Sequence, residues 1–153
     1  RDLLKTTEIL NAINDRLLER WPDRTVYVDV CPVDFDRPSF WLAVEKNGQT
    51  DANRLFVRRE LQIRLTIYDQ MDEHYDASWF RLAGDADDAL TLLTPPLTVG
   101  DRHLKLDLKA LPRDPDRAYL QISAAWMDDR PGADQADVPA ADTYTVSVRT
   151  NVK

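Results

Sequence analysis

The segment of residues 54–70, RLFVRRELQIRLTIYDQ, constrains the fold of this chain more than any other. Its apolar positions alternate with polar ones and are Leu55, Val57, Leu61, Ile63, Leu65 and Ile67. The polar positions between them are Arg54, Arg58, Glu60, Gln62, Arg64 and Thr66, and Arg59 is a charge on the apolar side. A period of two is typical of a strand with one buried face. Such a strand requires a covering layer.

The composition predicts one folded domain and argues against several functional classes. The chain has 153 residues, 43% of them hydrophobic, which suffices for a core. No apolar run approaches the roughly 20 residues of a membrane span. The single cysteine, Cys31, excludes an internal disulfide framework and fits a reducing cytoplasm. A net charge of −7 argues against general binding to nucleic acid or anionic lipid.

The part of the chain before this strand predicts a helix and two further strands. Residues 2–20 have helical periodicity, with an apolar face of Leu3, Leu10, Ile13 and Leu17, flanked by Leu4 and Leu18. Pro22 ends this helix, because the residue before a proline is pushed out of the helical region. Residues 25–30 and 39–45 alternate as strands, and polar residues 46–53 predict a hairpin tip.

The part after this strand predicts a second helix and a second hairpin. The acidic segment of residues 69–76 offers N-caps for a helix that ends near Leu93. The apolar positions of that helix are Tyr75, Trp79, Leu82, Ala86, Leu90 and Leu93. A turn follows at residues 100–101, and residues 104–108 and 118–126 then alternate as two paired strands, with a turn at residues 112–115 between them.

The order of elements, α-β-β-β-α-β-β, predicts an α+β fold. Its simplest packing is a single, mainly antiparallel β-sheet with both helices on one face. Residues 1–127 form the predicted domain. Residues 128–153 are predicted to be a linker or arm, because residues 128–142 are rich in Asp, Ala and Pro. The arm is predicted to end in a short strand with Tyr144, Val146 and Val148.

No catalytic motif is found, and we expect no cofactor, no metal and no enzymatic activity. The densest polar cluster contains Asp69, Asp72, Glu73, His74 and Asp76. Carboxylates with one imidazole could hold a divalent cation, which leaves a small acidic metal-dependent enzyme as an alternative. The simpler interpretation is that these residues cap a helix and complement its dipole.

The charge distribution suggests self-association. Arginines crowd the long strand, while acidic residues crowd the segment and helix that follow it, so copies of the chain could be complementary. The predicted subunit interface therefore contains Arg54, Arg58, Arg59, Arg64, Asp72, Glu73, Asp76 and Asp85. An ordinary solvated surface is the alternative.

Several short segments keep a familiar order along the chain. They are WPD, VYVDVCPVDFDRPSFWLAVE, RRELQIRLTIYDQ, VGDRHLKLDLKA and AYLQISAAW. The most specific cues are Arg37-Pro38-Ser39-Phe40, Arg58-Arg59 and Val99-Gly100-Asp101-Arg102. From about Leu3 to Met127 the chain thereby resembles the tail terminator family of long-tailed phages and related prophage elements.

The resemblance implies a structural role. Family members form a hexameric ring at the head-proximal end of the tail tube, where they end tube growth, join the head–neck assembly and, in contractile tails, also meet the sheath. DNA must pass this ring without being held, and no membrane is involved. Assembly would take place in the host cytoplasm, before the protein becomes part of the virion tail.

The resemblance also suggests where the tube docks. The predicted hairpin tip has no large apolar residue and could project from the ring toward the tube, through Lys46, Asn47, Gln49, Thr50, Asp51 and Asn53. A neck or head-completion protein of similar size is an alternative within phage structure. A monomeric binding module is a further alternative, and the oligomeric mass in solution would distinguish it from a ring.

Overall fold

The computed structural model describes residues 3–72 and 77–130. Within these residues, two helices and seven strands follow one another along the chain. They are α1 (Thr6–Arg20), β1 (Thr25–Val28), β2 (Ser39–Asp51), β3 (Phe56–Tyr68), α2 (Trp79–Leu93), β4 (Leu97–Val99), β5 (Arg102–Leu104), β6 (Asp107–Asp114) and β7 (Arg117–Asp129). None of the helices in these residues is long and apolar enough to cross a membrane.

The main sheet has five strands in the order β1-β2-β3-β7-β6. Only β1 and β2 run parallel, and the other three neighbouring pairs are antiparallel. Strands β4 and β5 form a separate two-stranded hairpin. The predicted α+β class, the mainly antiparallel sheet and the order of its elements are therefore confirmed, with the β4–β5 hairpin as an addition.

Strand β3 is central to the sheet, and its predicted apolar face is the core face. Ile63 lies opposite Ile122 of β7, and Leu65 lies opposite both Leu120 of β7 and Leu42 of β2. These residues and the apolar faces of both helices belong to one buried cluster. Both helices therefore cover the same face of the sheet, as predicted. The opposite face is open except near the end of β3, where Thr66 and Tyr68 are buried and Phe35 packs on the Tyr68 ring.

Helix α1 begins at Thr6, four residues later than predicted. Lys5 has an extended backbone, and its N–H donates to the Glu8 carboxylate at 3.1 Å, which fixes the helix start there. Leu3 consequently lies outside the helix and is exposed, although Leu10, Ile13 and Leu17 are buried as expected.

Helix α2 begins at Trp79, so the prediction that it starts within residues 69–76 is wrong. Its N-cap is Ser78, whose hydroxyl accepts a hydrogen bond from the Arg81 N–H at 3.4 Å. Leu82 and Leu93 face the core as predicted, but Trp79 is 52% exposed because it lies at the first helical position, beyond the end of the core. Tyr75 is outside the described residues.

Strand β1 is shorter, and strand β2 longer, than the alternation predicted. Asp29 has φ 70°, a left-handed conformation that ends β1, and Val30 beyond it is 72% exposed. Strand β2 continues to Asp51 through an irregularity between Val44 and Lys46. The residues from Lys46 to Asp51 were predicted to be a loop, yet they pair with β3, so the hairpin tip itself contains only residues 52–55.

The predicted strand of residues 104–108 is divided between β5 and β6, which belong to different sheets. Strand β6 then continues to Asp114, so the turn before β7 is displaced from residues 112–115 to Pro115 and Asp116. Strand β7 extends to Asp129, which places the first residues of the predicted arm in the main sheet. Residues 131–153, with the predicted terminal strand, lie outside the described residues.

Candidate assembly surfaces

The open face of the sheet carries the basic residues that alternate with the core positions of β3. Arg64 Nε lies 3.0 Å from Glu45 Oε2, and its guanidinium lies over the Tyr119 ring at 5.3 Å. Arg58 Nε lies 3.4 Å from Glu60 Oε2, with both side chains about half exposed. Exposed pairs of this kind are worth roughly 0–1 kcal/mol and are screened by salt. These arginines can therefore exchange their partners at little cost when another charged surface docks.

A shallow depression of about 200 Å³ lies on this open face, between β2, β3, β7 and β6. Its polar lining consists of Lys46, Arg58, Glu60, Gln62, Asp107 and Ser123. The lining combines both signs of charge, and neither histidine nor cysteine contributes to it. Such a surface is suited to ionic contacts with another protein and lacks a nucleophile paired with a base.

Arg59 occupies a different position from the other arginines of the strand. It lies on the helix-covered side, where Nη1 is 3.7 Å from Oδ2 of the fully buried Asp128. Arg102 donates to the other carboxylate oxygen of Asp128, and Trp126 Nε1 donates to Oδ2 at 3.0 Å. Two cations and an indole N–H thus satisfy a carboxylate with no solvent access, which makes Arg59 a structural residue of its own chain.

The acidic residues of α2 are also used within the chain. Asp85 Oδ2 accepts from Arg24 at 2.9 Å, and both side chains are mostly buried. Asp88 accepts from Arg20 at 3.0 Å, and this pair is about half exposed. Helix α2 packs against the side of the sheet opposite Arg58 and Arg64, so these two arginines and Asp85 of one chain are not brought together.

The acidic segment before α2 is only partly described. Asp69 is fully buried, its Oδ1 accepts from the Gln70 N–H at 2.7 Å, and Arg81 Nη2 lies 3.2 Å from the same oxygen. Asp72 is exposed, whereas Glu73, His74 and Asp76 lie outside the described residues. Among residues 3–72 and 77–130, no group of three or more His, Cys, Asp or Glu side chains could hold a metal ion.

The tip of the β2–β3 hairpin is held by two polar side chains. Asn53 Oδ1 accepts from the N–H groups of Leu55 and Phe56 at 2.8 and 2.9 Å. The Arg130 guanidinium donates to the backbone oxygens of Arg54 and Asn53 and to Asp51 Oδ1 at 2.9 Å. We call this set of contacts the Arg130 clasp. It holds the end of β7 against the hairpin tip.

The residues predicted to dock the tube flank this tip on β2. Asn47 lies on the helix-covered side, where its amide donates to the Thr6 hydroxyl and accepts from Arg59. Lys46, Gln49 and Thr50 are exposed along the strand. The structure therefore presents these side chains from a rigid, paired strand, in contrast to the predicted loop.

A second arginine cluster, not predicted from the sequence, lies at the opposite end of the sheet. Arg117 and Arg37 both donate to the Asp116 carboxylate at 2.8 Å. These hydrogen bonds, from Arg117 first and then Arg37, lower the pKa of Asp116 from 3.8 to about 2, against the effect of burial. Both guanidinium groups lie over the Tyr68 ring, at 5.2 Å for Arg37 and 4.9 Å for Arg117.

An aromatic pair at the start of α2 was also missed. Trp79 and Phe80 meet edge to face with their ring centroids 5.1 Å apart, and Phe80 is 80% exposed. Periodicity could not have found this pair, because it assigned Trp79 to the core. Adjacent exposed aromatic side chains are a feature of protein interfaces.

The sequence profile of the family described as "Phage tail terminator protein" matches residues 8–108. The match runs from α1 to the start of β6 and covers well over half of the chain. A comparison with curated proteins gives no match. A solved structure aligns with 84% of this chain and 97% of its own, with 14% sequence identity and a TM-score of 0.45.

Proposed function

This chain belongs to the phage tail terminator family, and we propose that it assembles into a closed ring that caps the head-proximal end of the tail tube. The family is one of structural proteins, so a place in the virion tail and contact with other tail components follow from membership. The match over residues 8–108 is the observation that carries the proposal. Ring closure, tube termination and head joining are the specific steps proposed for this chain.

A ring of identical subunits needs two different complementary patches on each copy. We propose that the arginines of the open face, Arg58 and Arg64, form part of one patch. Their present partners, Glu60 and Glu45, are partly exposed acids of the same sheet, so a neighbouring copy can replace them at little cost. Arg54, at the hairpin tip, extends the same basic surface. The second patch is proposed to be the acidic segment before α2, in which Asp72 is exposed and Glu73 and Asp76 lie outside the described residues.

Charged residues that are already paired within the chain are excluded from the proposed interface. Arg59 is held by buried Asp128, and Asp85 is held by Arg24, so neither is available without breaking a buried pair of its own chain. Interface charges of the exposed kind determine register and encounter rate more than affinity. Salt screens exposed charges of this kind, so the proposed ring should form more slowly and weaken at high salt, and the charges of the open face should account for that effect.

Charge reversal on the open face tests the ring. The double variant Arg58→Glu/Arg64→Glu should lower the oligomeric mass measured by native mass spectrometry, and tails made with it should be abnormally long. The matched control is Lys105→Glu/Arg113→Glu, which changes the net charge equally at exposed positions elsewhere. An oligomer unchanged by the first variant, across a series of salt concentrations, would remove Arg58 and Arg64 from the interface.

We further propose that the tube docks on the strand segment around the hairpin tip. Lys46, Gln49 and Thr50 are exposed there, while the Arg130 clasp and the pairing with β3 hold the backbone fixed. A preformed polar surface limits the entropy lost on docking. The double variant Gln49→Ala/Thr50→Ala should keep the fold and the ring but lose control of tail length in a complementation assay. Infectious tails of normal length would place the docking surface elsewhere.

The acidic balance of the chain supports free passage of DNA. A net charge of −7 gives phosphate no general attraction to the ring. The neck or head-completion proteins would then meet the face of the ring turned away from the tube. In a contractile tail, the sheath would meet the outer rim.

A further inference from the structure

The outer edge of β2 is paired along only part of its length. Strand β1 covers it from Ser39 to Leu42, and β1 then ends at Val28. In the part of the chain that the structure describes, no strand lies on the outer side of residues 43–51. A free edge of this length presents a row of unpaired N–H and C=O groups, which form a template for another strand.

The middle of this edge has no charge that would protect it from pairing, although Glu45 and Lys46, beside the irregularity, and Asp51, at its end, are charged. Natural edges are commonly guarded by charges directed at an incoming strand, yet Asn47, Gly48, Gln49 and Thr50 are four consecutive uncharged residues. Val44, on the helix-covered side, is 39% exposed although its neighbour Ile63 on β3 is buried. An added strand with apolar side chains on that side would cover Val44.

The described chain ends at the hairpin tip, where the outer edge of β2 also ends. Arg130 follows the last residue of β7, and its N–H donates to the Leu55 carbonyl at 2.7 Å. Through the Arg130 clasp its guanidinium reaches across the hairpin tip to Asp51, the last residue of β2. The chain therefore leaves the sheet at the end of β2 where a returning strand would have to begin. Because β2 runs toward the tip, a segment that returns from the tip would be antiparallel to it.

The sequence beyond Arg130 contains a segment with the required pattern. Tyr144, Val146 and Val148 alternate with Thr145, Ser147 and Arg149, the period of a strand with one apolar side. The 13 intervening residues, 131–143, can span at most about 45 Å when fully extended. The outer side of β2 lies three strand spacings from β7, or roughly 14 Å, which is well within that reach.

We infer that residues 144–149 pair antiparallel with the outer edge of β2 in their own chain, with their apolar side chains turned toward Val44. This sixth strand would close the edge that β1 leaves open. The inference rests on the free edge, on the exit point at Arg130 and on the alternation of residues 144–149. It does not rest on the proposed function, although it concerns the same segment of β2 as the proposed docking surface.

Hydrogen exchange of the full-length chain tests the pairing. A proline at position 146 removes an N–H and cannot pair within a strand. In Val146→Pro, the outward-facing amides of residues 45–51 should exchange at least about tenfold faster than in the wild-type chain. The control Ala136→Pro, in the intervening segment, should leave these amides unchanged, and amides between β3 and β7 should be unchanged in both variants. Equal exchange in the two variants would overturn the inference.

Cross-linking tests whether the strand belongs to the same chain. Gly48 and Ser147 are replaced by cysteine in a Cys31→Ser background, and the protein is treated with a short bismaleimide. Position 48 accepts the change because a Cβ there meets nothing within 4 Å. A cross-linked peptide joining positions 48 and 147 in a product of monomer mass is expected. A cysteine at Asp107, on the far edge of the sheet, replaces the one at position 48 as the control.

The remaining outcomes of this experiment contradict the inference. Cross-linked dimers joined through positions 48 and 147 would assign the strand to a neighbouring copy and overturn the pairing within one chain. Equal yields from positions 48 and 107 would show that residues 144–149 have no preference for β2.

Discussion

The two ends of strand β3 are stabilised by different kinds of interaction. Around Ile63, Leu65 and Ile67 the strand is buried beneath both helices, and its neighbours on β2 and β7 are apolar. Toward Phe56 the helices no longer cover it, and Arg59, Asp128 and the Arg130 clasp hold the strands together. Packing stabilises the end around Ile63, Leu65 and Ile67, which we call the packed end. A few charges in specific geometry stabilise the end toward Phe56, which we call the polar end.

This difference explains why one end needs no cover from the helices. Apolar burial is non-directional and scales with area, so it needs the helix layer. A buried carboxylate with several donors needs only those donors in place, but it is intolerant of losing one of them. The polar end can therefore extend beyond the helices as a three-stranded projection, which presents the proposed docking surface.

The largest expected effect comes from placing a charge in the packed end. Ile63→Asp would bury an unpaired carboxylate and should lower the free energy of unfolding by about 4 kcal/mol. Gln62→Asp, one residue away on the open face, is the control and should change it by less than about 1 kcal/mol. Urea denaturation followed by circular dichroism measures both. Similar urea midpoints for the two variants would contradict the assignment of Ile63 to the buried face of β3 and Gln62 to the open face.

A somewhat smaller effect is expected from removing the buried acid of the polar end. Asp128→Ala leaves Arg59 and Arg102 without their shared partner and should cost about 3 kcal/mol. Hydrogen exchange should accelerate more at Phe56–Leu61 than near Leu65, if the two ends are independently stabilised. Asp107→Ala, at an exposed sheet position, is the control. Uniform acceleration along β3 would show that the two ends form a single cooperative unit.

The smallest effect concerns pH. The folded-state pKa of Asp116, about 2, lies below its ordinary 3.8, so this carboxylate contributes stability above about pH 4 that is lost as the pH falls toward 2. After allowance for solvent screening, the contribution is about 1 kcal/mol. Asp116→Asn should flatten the decline in stability over this pH range, as measured by urea titrations. Asp87→Asn, on an exposed position of α2, should leave the decline as it is.

Much of the packed end could be predicted from the sequence because its signal is local. The alternation from Val57 to Ile67 identifies the strand and its buried face, and the apolar spacing of α1 and α2 identifies the layer that covers it. The ends of helices and strands were predicted less accurately, because they depend on backbone conformations such as the extended Lys5 and the left-handed Asp29.

The polar end could not be predicted because its partners are distant in sequence. Nothing near Arg59 indicates that Asp128 lies beneath it, and an isolated arginine on an apolar strand face has no assigned partner until the strand order is known. The same holds for Arg130 and Asp51. The candidate interface therefore included Arg59 and Asp85 without their partners within the chain, Asp128 and Arg24.

The position of β7 affects how the protein folds as it is synthesised. Strand β3 lies in the middle of the sheet, yet its partner β7 is the last strand of the described chain. A nascent chain that ends before Arg117 can form the β2–β3 hairpin, but the other edge of β3 remains without its partner. Closing that edge requires contacts between distant segments, which form slowly. Until the ribosome has released Arg117–Asp129, one edge of the central strand β3 is exposed to pairing with other chains.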